Sequence, residues 1–281
     1  MRRKVWIGKS AWKTGTMEED KMTIFEKTFD DAAIDYDHSR PTYVKEIYED
    51  IFRYKPVDPD SRVLEIGLGT GKASQPILET RCHFTGIEPG ERLTDLARKR
   101  YRTYANFTVC NQTFQDFISP DESFDLIYAA TAFHWIPEEY GYKRVHELLK
   151  PGGAFARFAY HAGTDKGREE MTKEIQEIYS KYMHQEEPLR EYGLEDAKKL
   201  AETACRYGFC DAAYQLYSTT KEFTADEYMT LLRTYPDHMR LEESNRKMLF
   251  EGIHSAIRNH GGIMTVYYTM ELELARKPAR N

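Results

Sequence analysis

The sequence predicts an α/β protein in which a doubly wound, mostly parallel sheet of about seven strands carries a helical cap. Two observations support this fold class. Short apolar runs alternate with segments of helical periodicity across residues 41–161. Beyond residue 161, two charged, helix-prone blocks appear that are too long to be simple connections. A chain of 281 residues is long enough for one large domain with such insertions.

The first half of the chain supplies five of the predicted strands. Residues 41–54 begin with proline and place apolar side chains at helical spacing, which predicts a helix ahead of the first strand. The five strands are the apolar runs 62–67, 83–89, 107–114, 124–133 and 152–161. Helical patterns such as residues 91–104 separate them, and Pro151-Gly152-Gly153 is a strong stop signal for the last helix of this half.

The chain as a whole divides into an extension, a core and a cap. Residues 1–20 are polar and without clear periodicity, and we interpret them as a flexible extension, whereas residues 21–163 form the predicted core. Two helical insertions follow at 164–210 and 224–260, and two final core strands at 211–223 and 261–276. Ligands of open α/β sheets bind at the carboxyl ends of the strands, so we expect the insertions to form a cap over that edge.

Composition limits the range of partners. A net charge of −6 and a pI near 5.9 argue against a general binder of nucleic-acid backbones. The 4 cysteines form no CxxC pair and no metal-ligand spacing with histidine, so no metal site is expected. No apolar run approaches the roughly 20 residues that span a bilayer, and no secretory signal is visible. We therefore expect a cytoplasmic protein without nucleic-acid or membrane partners.

The glycine loop that follows the first predicted strand narrows the choice of ligand. Its sequence, LEIGLGTG at residues 64–71, has the spacing G-x-G-x-G. A dinucleotide fingerprint requires a third glycine where Lys72 stands. A P-loop requires a glycine where Ile66 stands and a hydroxyl group where Ala73 stands. Both phosphate-binding motifs therefore fail, and a nucleoside without phosphates is favoured.

Two acidic residues lie next to this loop. Glu65 precedes it, where a carboxylate would repel a pyrophosphate but suits a cationic amine or sulfonium group. Glu88 ends the second predicted strand, where a carboxylate accepts hydrogen bonds from ribose hydroxyls. A phosphate-free glycine loop, a ribose-binding acid and an acid for a cation together describe a site for S-adenosylmethionine.

The quoted motifs resemble those of class I S-adenosylmethionine-dependent methyltransferases. LEIGLGTG is similar to the first motif of that family, GIEPG to the second, and SFDLIYAATAFHWI with LLKPGGAF to the later strand motifs. FDDAAIDYDHSRPTY and AATAFHWI resemble the branch that includes trans-aconitate methyltransferase. The resemblance covers residues 29–161 and is weak across 165–281. It implies a Rossmann-like core with an antiparallel terminal strand.

The resemblance also implies roles for residues of the glycine loop. Glu65, Gly67 and Gly69 would contact the methionyl part and the backbone of the cofactor, and Gly71 would complete the loop. Glu88 would bind the ribose hydroxyls. S-adenosylmethionine is thus the expected cofactor, with S-adenosylhomocysteine as the product.

Further cofactor contacts are implied outside the loop. Thr113 and Phe114 match the positions that flank the adenine, Phe114 by stacking or apolar contact. Thr131, at the end of the fourth predicted strand, would lie near the methionyl group. Tyr36 and Arg40, in YDHSRP, match an amino-terminal segment that closes over the cofactor.

Four residues are candidates for the acceptor side of the site. His134 is positioned to orient a substrate anion or to act as a base, with a structural histidine as the alternative. Trp135 is interpreted as a wall of the substrate pocket. Arg157, a charge on a buried strand, would bind an acidic substrate or pair with a structural acid. Tyr235 is a candidate for the substrate pocket, with an exposed helix end as the alternative.

The sequence therefore predicts a methyltransferase that acts on a small molecule by direct in-line displacement. A carboxylate oxygen is the leading acceptor, because a carboxylate needs no general base near neutral pH. Two alternatives stay open. One is carbon or phenolic-oxygen methylation of a larger apolar metabolite, and the other is a non-catalytic sensor that binds S-adenosylmethionine.

Overall fold

The computed structural model describes residues 33–163, 165, 167–184 and 191–280. The predicted extension at residues 1–20 lies outside them. The chain forms two compact units. We call them the sheet unit and the helical unit. Their described residues fall within 42–160, 193–217 and 270–281 for the sheet unit, and within 1–41, 161–192 and 218–269 for the helical unit. At three of the five boundaries, 160/161, 217/218 and 269/270, the chain passes from one unit to the other within a strand.

Seven strands form one sheet in the order β3-β2-β1-β4-β5-β7-β6. The strands are β1 (Arg62–Ile66), β2 (His83–Ile87), β3 (Phe107–Cys110), β4 (Phe124–Ala130), β5 (Leu149–Gly163), β6 (Cys210–Thr224) and β7 (Ile263–Arg276). The first five pair in parallel, and the sheet ends in an antiparallel pair. The strand order reverses between β1 and β4, where open α/β sheets bind their ligands. The predicted fold class is confirmed.

The central strands are apolar on both faces because helices cover both sides of a doubly wound sheet. Side chains alternate between the faces. In β1, Val63 joins one apolar cluster and its neighbour Leu64 joins the other. Leu126 and Ile127 of β4 divide in the same way. All four are fully buried, so β1 and β4 form a rigid support for the loops at their carboxyl ends.

Helices connect and cover these strands. In the sheet unit they are α2 (Lys45–Tyr54), α3 (Gln75–Leu78), α4 (Glu91–Arg100), α5 (Glu138–Leu148), α7 (Leu194–Arg206) and a 3₁₀ turn (Phe133–Trp135). In the helical unit they are α1 (Ala33–Ser39), α6 (Glu169–Met183), α8 (Ala225–Arg233), α9 (Pro236–Met239) and α10 (Glu243–Asn259). Within the described ranges, no helix is both long and apolar enough to cross a membrane.

Two strand boundaries differ from the sequence prediction. β3 ends at Cys110, because Asn111 turns its side-chain amide to the carbonyl oxygens of Glu88 and Pro89 at 3.0 and 2.8 Å. The Pro-Gly-Gly stop signal lies inside β5, because Gly152 donates a backbone hydrogen bond to Lys277 at 3.0 Å. Side-chain and long-range backbone partners therefore set boundaries that local patterns did not reveal.

The predicted insertion at residues 164–210 contains two helices that fall in different units. α6 belongs to the helical unit and α7 to the sheet unit. The physical reason is apolar packing, since Ala204 of α7 and the following Phe209 are buried in the same cluster as Leu64. α7 is therefore part of the covering of the sheet.

The helical unit is organised around α8. A capping box fixes its start, with Glu227 accepting from the Thr224 backbone amide at 2.8 Å and donating its own amide to the Thr224 hydroxyl at 3.3 Å. α1 and α10 both pack against α8, and α10 also packs against α6. The close α10–α6 contact is made at Gly252, where an added Cβ would lie 3.2 Å from Ile178.

Candidate active site

The glycine loop turns sharply as it leaves β1. Gly67 has a φ of +69°, which L side chains rarely adopt, and a Cβ there would collide with the Cβ of Ala132. The amides of Gly67 and Leu68 both donate to the Ile87 carbonyl, each at 2.9 Å. These bonds tie the start of the loop to the end of β2.

The end of the loop is fixed by α4. Gly71 has a φ of +81°, and a Cβ there would lie 2.5 Å from Cε2 of Tyr101. The Tyr101 hydroxyl donates to the Gly71 carbonyl at 2.6 Å, and Arg100 donates to the Thr70 carbonyl at 2.8 Å. The loop is thus held at both ends by the protein itself, and its conformation is set before any ligand binds.

Glu88 connects the loop to the start of α4. Its two carboxylate oxygens accept from the backbone amides of Gly69 at 2.8 Å and Gly90 at 2.9 Å. A carboxylate offers about four acceptor positions, so it can accept hydroxyl donors in addition to backbone amides. The two amides orient the carboxylate at the carboxyl end of β2, where a ribose-binding acid is expected.

Glu65 is almost completely buried on β1, with 1 % of its surface exposed. Its Oε2 atom accepts hydrogen bonds from the hydroxyls of Ser74 and Tyr128, both at 2.6 Å. Its Oε1 atom is buried and has no hydrogen-bond partner among the described residues. Burial raises the pKa of Glu65 to about 7; the two hydroxyls oppose this rise, and the nearby negative charge of Glu88 adds to it.

An unpaired carboxylate oxygen in this position favours a positively charged hydrogen-bond donor. Neutral hydroxyls alone do not offset the burial of the charge on Glu65, as its raised pKa shows. An ammonium or sulfonium group beside Oε1 would stabilise the ionised form. Glu65 therefore fits the methionyl end of S-adenosylmethionine, and Glu88 fits the ribose.

Thr131 holds a strained backbone at the end of β4. Its φ of +53° is unusual for a β-branched residue. The Thr131 amide donates to the Phe158 carbonyl at 2.8 Å, and its hydroxyl shares a hydrogen bond of 2.7 Å with the hydroxyl of Tyr43. Such strain persists only where the surroundings impose it, and it often accompanies a binding site. Tyr43 was missed in the sequence, although it ends the quoted segment FDDAAIDYDHSRPTY.

The two residues expected beside the adenine have other partners in the structure. Phe114 is buried in the apolar cluster that covers one face of the sheet, with its ring 5.9 Å from that of Tyr140. Thr113 donates to Asp116 at 2.6 Å and accepts from the Asp116 amide at 3.2 Å. Both belong to the turn after β3, and their contact with adenine stays a prediction.

The acceptor-side candidates of the sheet unit lie in and near the 3₁₀ turn, where the Arg157 guanidinium is 5.8 Å from the centre of the Phe133 ring. His134 is exposed in the 3₁₀ turn, with its ring 4.8 Å from that of Trp135. Arg157 instead has its Nε atom 3.9 Å from a carboxylate oxygen of Glu273, and it donates to the Tyr142 hydroxyl at 3.3 Å. Burial alone would lower the pKa of Arg157. The negative charge of Glu273 and the hydroxyl of Tyr142 raise it by more, so the pKa of Arg157 lies above its usual value.

This arrangement bears on the two roles considered for Arg157. A guanidinium beside a buried acid and a phenol is an internal ion pair, which agrees with the structural alternative. The partner acid lies on β7, more than a hundred residues away in sequence. No local pattern connects the two residues, so the sequence did not reveal this pair.

Tyr36, Arg40 and Tyr235 lie together in the helical unit. The Arg40 guanidinium stands 4.0 Å from the centre of the Tyr235 ring and 5.4 Å from that of Tyr36. It donates from Nε to the Thr234 hydroxyl and from Nη2 to the Thr234 carbonyl, both at 2.8 Å. Two residues predicted for the cofactor and one predicted for the substrate thus form a single group around Arg40.

Comparison with known proteins agrees with the geometry around Glu65 and Glu88. A family model described as a methyltransferase domain matches residues 63–153. An uncharacterised methyltransferase of a Geobacillus species is 30% identical over 56% of this chain and 75% of its own length. The chain belongs to the class I S-adenosylmethionine-dependent methyltransferases. A methyltransferase-like protein of Schizosaccharomyces pombe is 23% identical over 90% of this chain and 97% of its own length.

Solved structures support the fold of this methyltransferase. The structure of a putative type II methyltransferase from Anaeromyxobacter dehalogenans superposes with a TM-score of 0.62. It covers 86% of this chain and 99% of its own chain, at 17% sequence identity. The arrangement of β1 to β7 is therefore shared by proteins whose sequences have diverged widely.

Proposed function

We propose that this methyltransferase transfers a methyl group from S-adenosylmethionine to a carboxylate oxygen of a small metabolite. The proposal places it in the branch that its motifs resemble, which includes trans-aconitate methyltransferase. The observation that supports S-adenosylmethionine as the methyl donor is the pair Glu65 and Glu88 at the ends of β1 and β2. An acidic acceptor is supported by the resemblance of FDDAAIDYDHSRPTY and AATAFHWI to that branch.

The residues of the sheet unit would hold the donor by its two polar ends. Glu88, already oriented by two backbone amides, would accept hydrogen bonds from the ribose hydroxyls. Glu65 would take the positive charge of the methionyl end on its buried Oε1 atom. Thr131 and Tyr43 would position the same end through their paired hydroxyls. The glycine loop, whose backbone is fixed at Gly67 by Ala132 and at Gly71 by Tyr101, would lie against the donor.

The proposed reaction requires no general acid or base from the protein. When bound, S-adenosylmethionine supplies an electrophilic methyl group whose departure from sulfur removes the sulfonium charge. The task of the protein is to align the acceptor oxygen with that methyl group and to exclude water. Such positioning is worth roughly 7–11 kcal/mol in well-oriented reactions. A carboxylate is already ionised near neutral pH, so no residue need remove a proton.

The proposal is tested by incubating the protein with methyl-labelled S-adenosylmethionine and a mixed metabolite pool. A methyl ester releases its label as methanol in mild alkali, whereas a methyl group on carbon or on a phenolic oxygen resists it. We expect an alkali-labile product that disappears with Glu88→Ala and persists with Glu202→Ala, an exposed acid on α7. An alkali-stable product would instead show carbon or phenolic-oxygen methylation. Donor binding without any product would show a sensor.

A further inference from the structure

Tyr128 of β4 lies directly opposite Glu65 of β1 in the parallel register of the two strands. Its side chain is fully buried, and its hydroxyl donates to the Oε2 atom of Glu65 at 2.6 Å. The hydroxyl of Ser74 donates to the same oxygen atom at 2.6 Å. Both distances are typical of hydroxyl groups that donate to a carboxylate. The protein thus supplies two donors to Oε2, whereas Oε1 is buried and has no partner among the described residues.

The ring of Tyr128 packs against two other aromatic side chains. It stacks on Phe158 of β5, with the ring centres 6.0 Å apart and the planes within 8° of parallel. The Phe84 ring of β2 meets it at 64°, with the centres 6.4 Å apart. All three rings are buried in one apolar cluster, where close packing leaves little freedom to change rotamer. Tyr128 therefore presents its hydroxyl to Glu65 in one fixed direction.

Three further titratable groups surround Glu65 and Tyr128, namely Tyr48 of α2, Tyr101 after α4 and Glu88 after β2. Burial raises the pKa of Tyr48 and of Tyr128 well above the usual value of a tyrosine, so both hydroxyls keep their protons near pH 7. The negative charge of Glu88 opposes the ionisation of Glu65. The hydroxyls of Ser74 and Tyr128 favour it, because they donate to the charged form.

A neutral hydroxyl suits a carboxylate that must receive a cation. A lysine or arginine in place of Tyr128 would also stabilise ionised Glu65, but its positive charge would repel the positively charged end of S-adenosylmethionine. A hydroxyl favours ionisation by donating a hydrogen bond, and it adds no net charge. The negative charge of Glu65 therefore stays available to the ligand.

We propose that Tyr128 is a positioning residue for the methyl donor, whose hydroxyl holds Oε2 of Glu65 so that Oε1 is presented to the positively charged end of S-adenosylmethionine. The inference rests on the proposed function in one respect, because it takes Glu65 to contact that end. It goes further in assigning the strength of that contact to a residue that acts through Glu65.

Tyr128→Phe removes the hydroxyl and retains the aromatic ring. Loss of one hydrogen bond to a charged group should move the pH at which donor affinity is half lost upward by about one pH unit. Affinity is measured by titration calorimetry of the full-length protein with S-adenosylmethionine. The Kd of Tyr128→Phe should exceed that of wild type about ninefold at pH 6 and about twofold at pH 8. A purely structural defect would raise Kd by the same factor at both pH values.

Two further proteins complete the experiment. Tyr217→Phe is the matched control, because the Tyr217 hydroxyl also donates to a carboxylate, that of Asp50 on α2. Its Kd should equal that of wild type at both pH values. Incorporation of 3-fluorotyrosine at position 128 makes the opposite change, since a more acidic phenol donates a stronger hydrogen bond. The pH at which donor affinity is half lost should then move downward.

Several results would overturn the inference. A ratio of the Tyr128→Phe and wild-type Kd values that is the same at pH 6 and pH 8 would show that Tyr128 does not act through the ionisation of Glu65. If Tyr128→Phe fails to fold, as judged by circular dichroism, the fluorotyrosine protein decides. A pH profile that is unchanged there, or moved upward, counts against the proposal. Because no acceptor is present, failure here leaves the alkali-labile methylation test unaffected.

Discussion

Affinity for S-adenosylmethionine should decrease as the pH falls through 7, because Glu65 must be ionised to hold a cation. Its pKa is raised to about 7 by burial. With a pKa near 7, roughly nine-tenths of Glu65 is ionised at pH 8 and roughly one-tenth at pH 6. Kd should therefore rise about tenfold between these pH values, which corresponds to about 1.4 kcal/mol. Titration calorimetry with donor at half-unit pH steps gives the profile.

Glu65→Gln is the control that isolates this group. The amide is close in shape to the carboxyl, retains an oxygen for Ser74 and Tyr128, and cannot ionise. Any titration of S-adenosylmethionine itself changes the Kd of wild type and of Glu65→Gln by the same factor. The ratio of the two Kd values therefore depends only on the ionisation of Glu65. We expect Glu65→Gln to bind S-adenosylmethionine weakly, with a Kd that changes little with pH. The reasoning is refuted if the ratio of the two Kd values is the same at pH 6 and pH 8.

Three further predictions follow from local geometry. Glu88→Ala should weaken donor binding at least tenfold, since charge-assisted hydrogen bonds are worth about 1.5–3 kcal/mol each; unchanged calorimetric affinity would remove Glu88 from the ribose site. Gly71→Ala should lower the melting temperature, because its Cβ would lie 2.5 Å from Tyr101 at a positive φ; an unchanged melting curve would contradict this. Thr224→Ala should cost about 1 kcal/mol in urea unfolding through loss of the α8 cap, and a loss below a few tenths would contradict it.

The sheet, and the position of Glu65 and Glu88 beside the glycine loop, were predictable because their determinants are local. The apolar run of β1, the glycines and Glu65 lie within ten consecutive residues, and each ligand class demands its own spacing there. The carboxyl end of β2 follows from the same alternation, which places Glu88 beside the loop without any knowledge of distant contacts. The hydrogen bond between Glu88 and Gly69 agrees with that expectation.

The neighbours of the candidate substrate residues are set by contacts between distant segments. Tyr235 carries the Arg40 guanidinium on its ring, and no single window of sequence contains both residues. The sequence left open whether Arg157 binds a substrate or pairs with a structural acid, because its partner Glu273 lies on a strand far along the chain. Sequence similarity within 63–153 therefore identifies the reaction more readily than the acceptor.

Two unfavourable features of the free protein coincide at the point where the strand order reverses. Glu65 at the end of β1 buries an oxygen without a partner among the described residues, and Thr131 after β4 adopts a positive φ. Because the folded pKa of Glu65 lies above its usual value, this residue favours folding most below about pH 4.5, and the contribution is lost as the pH rises through 7. A cation that pairs with Oε1 offsets this loss. Bound S-adenosylmethionine should consequently increase the free energy of unfolding more at pH 8 than at pH 6, because it relieves a burial cost that grows as Glu65 ionises.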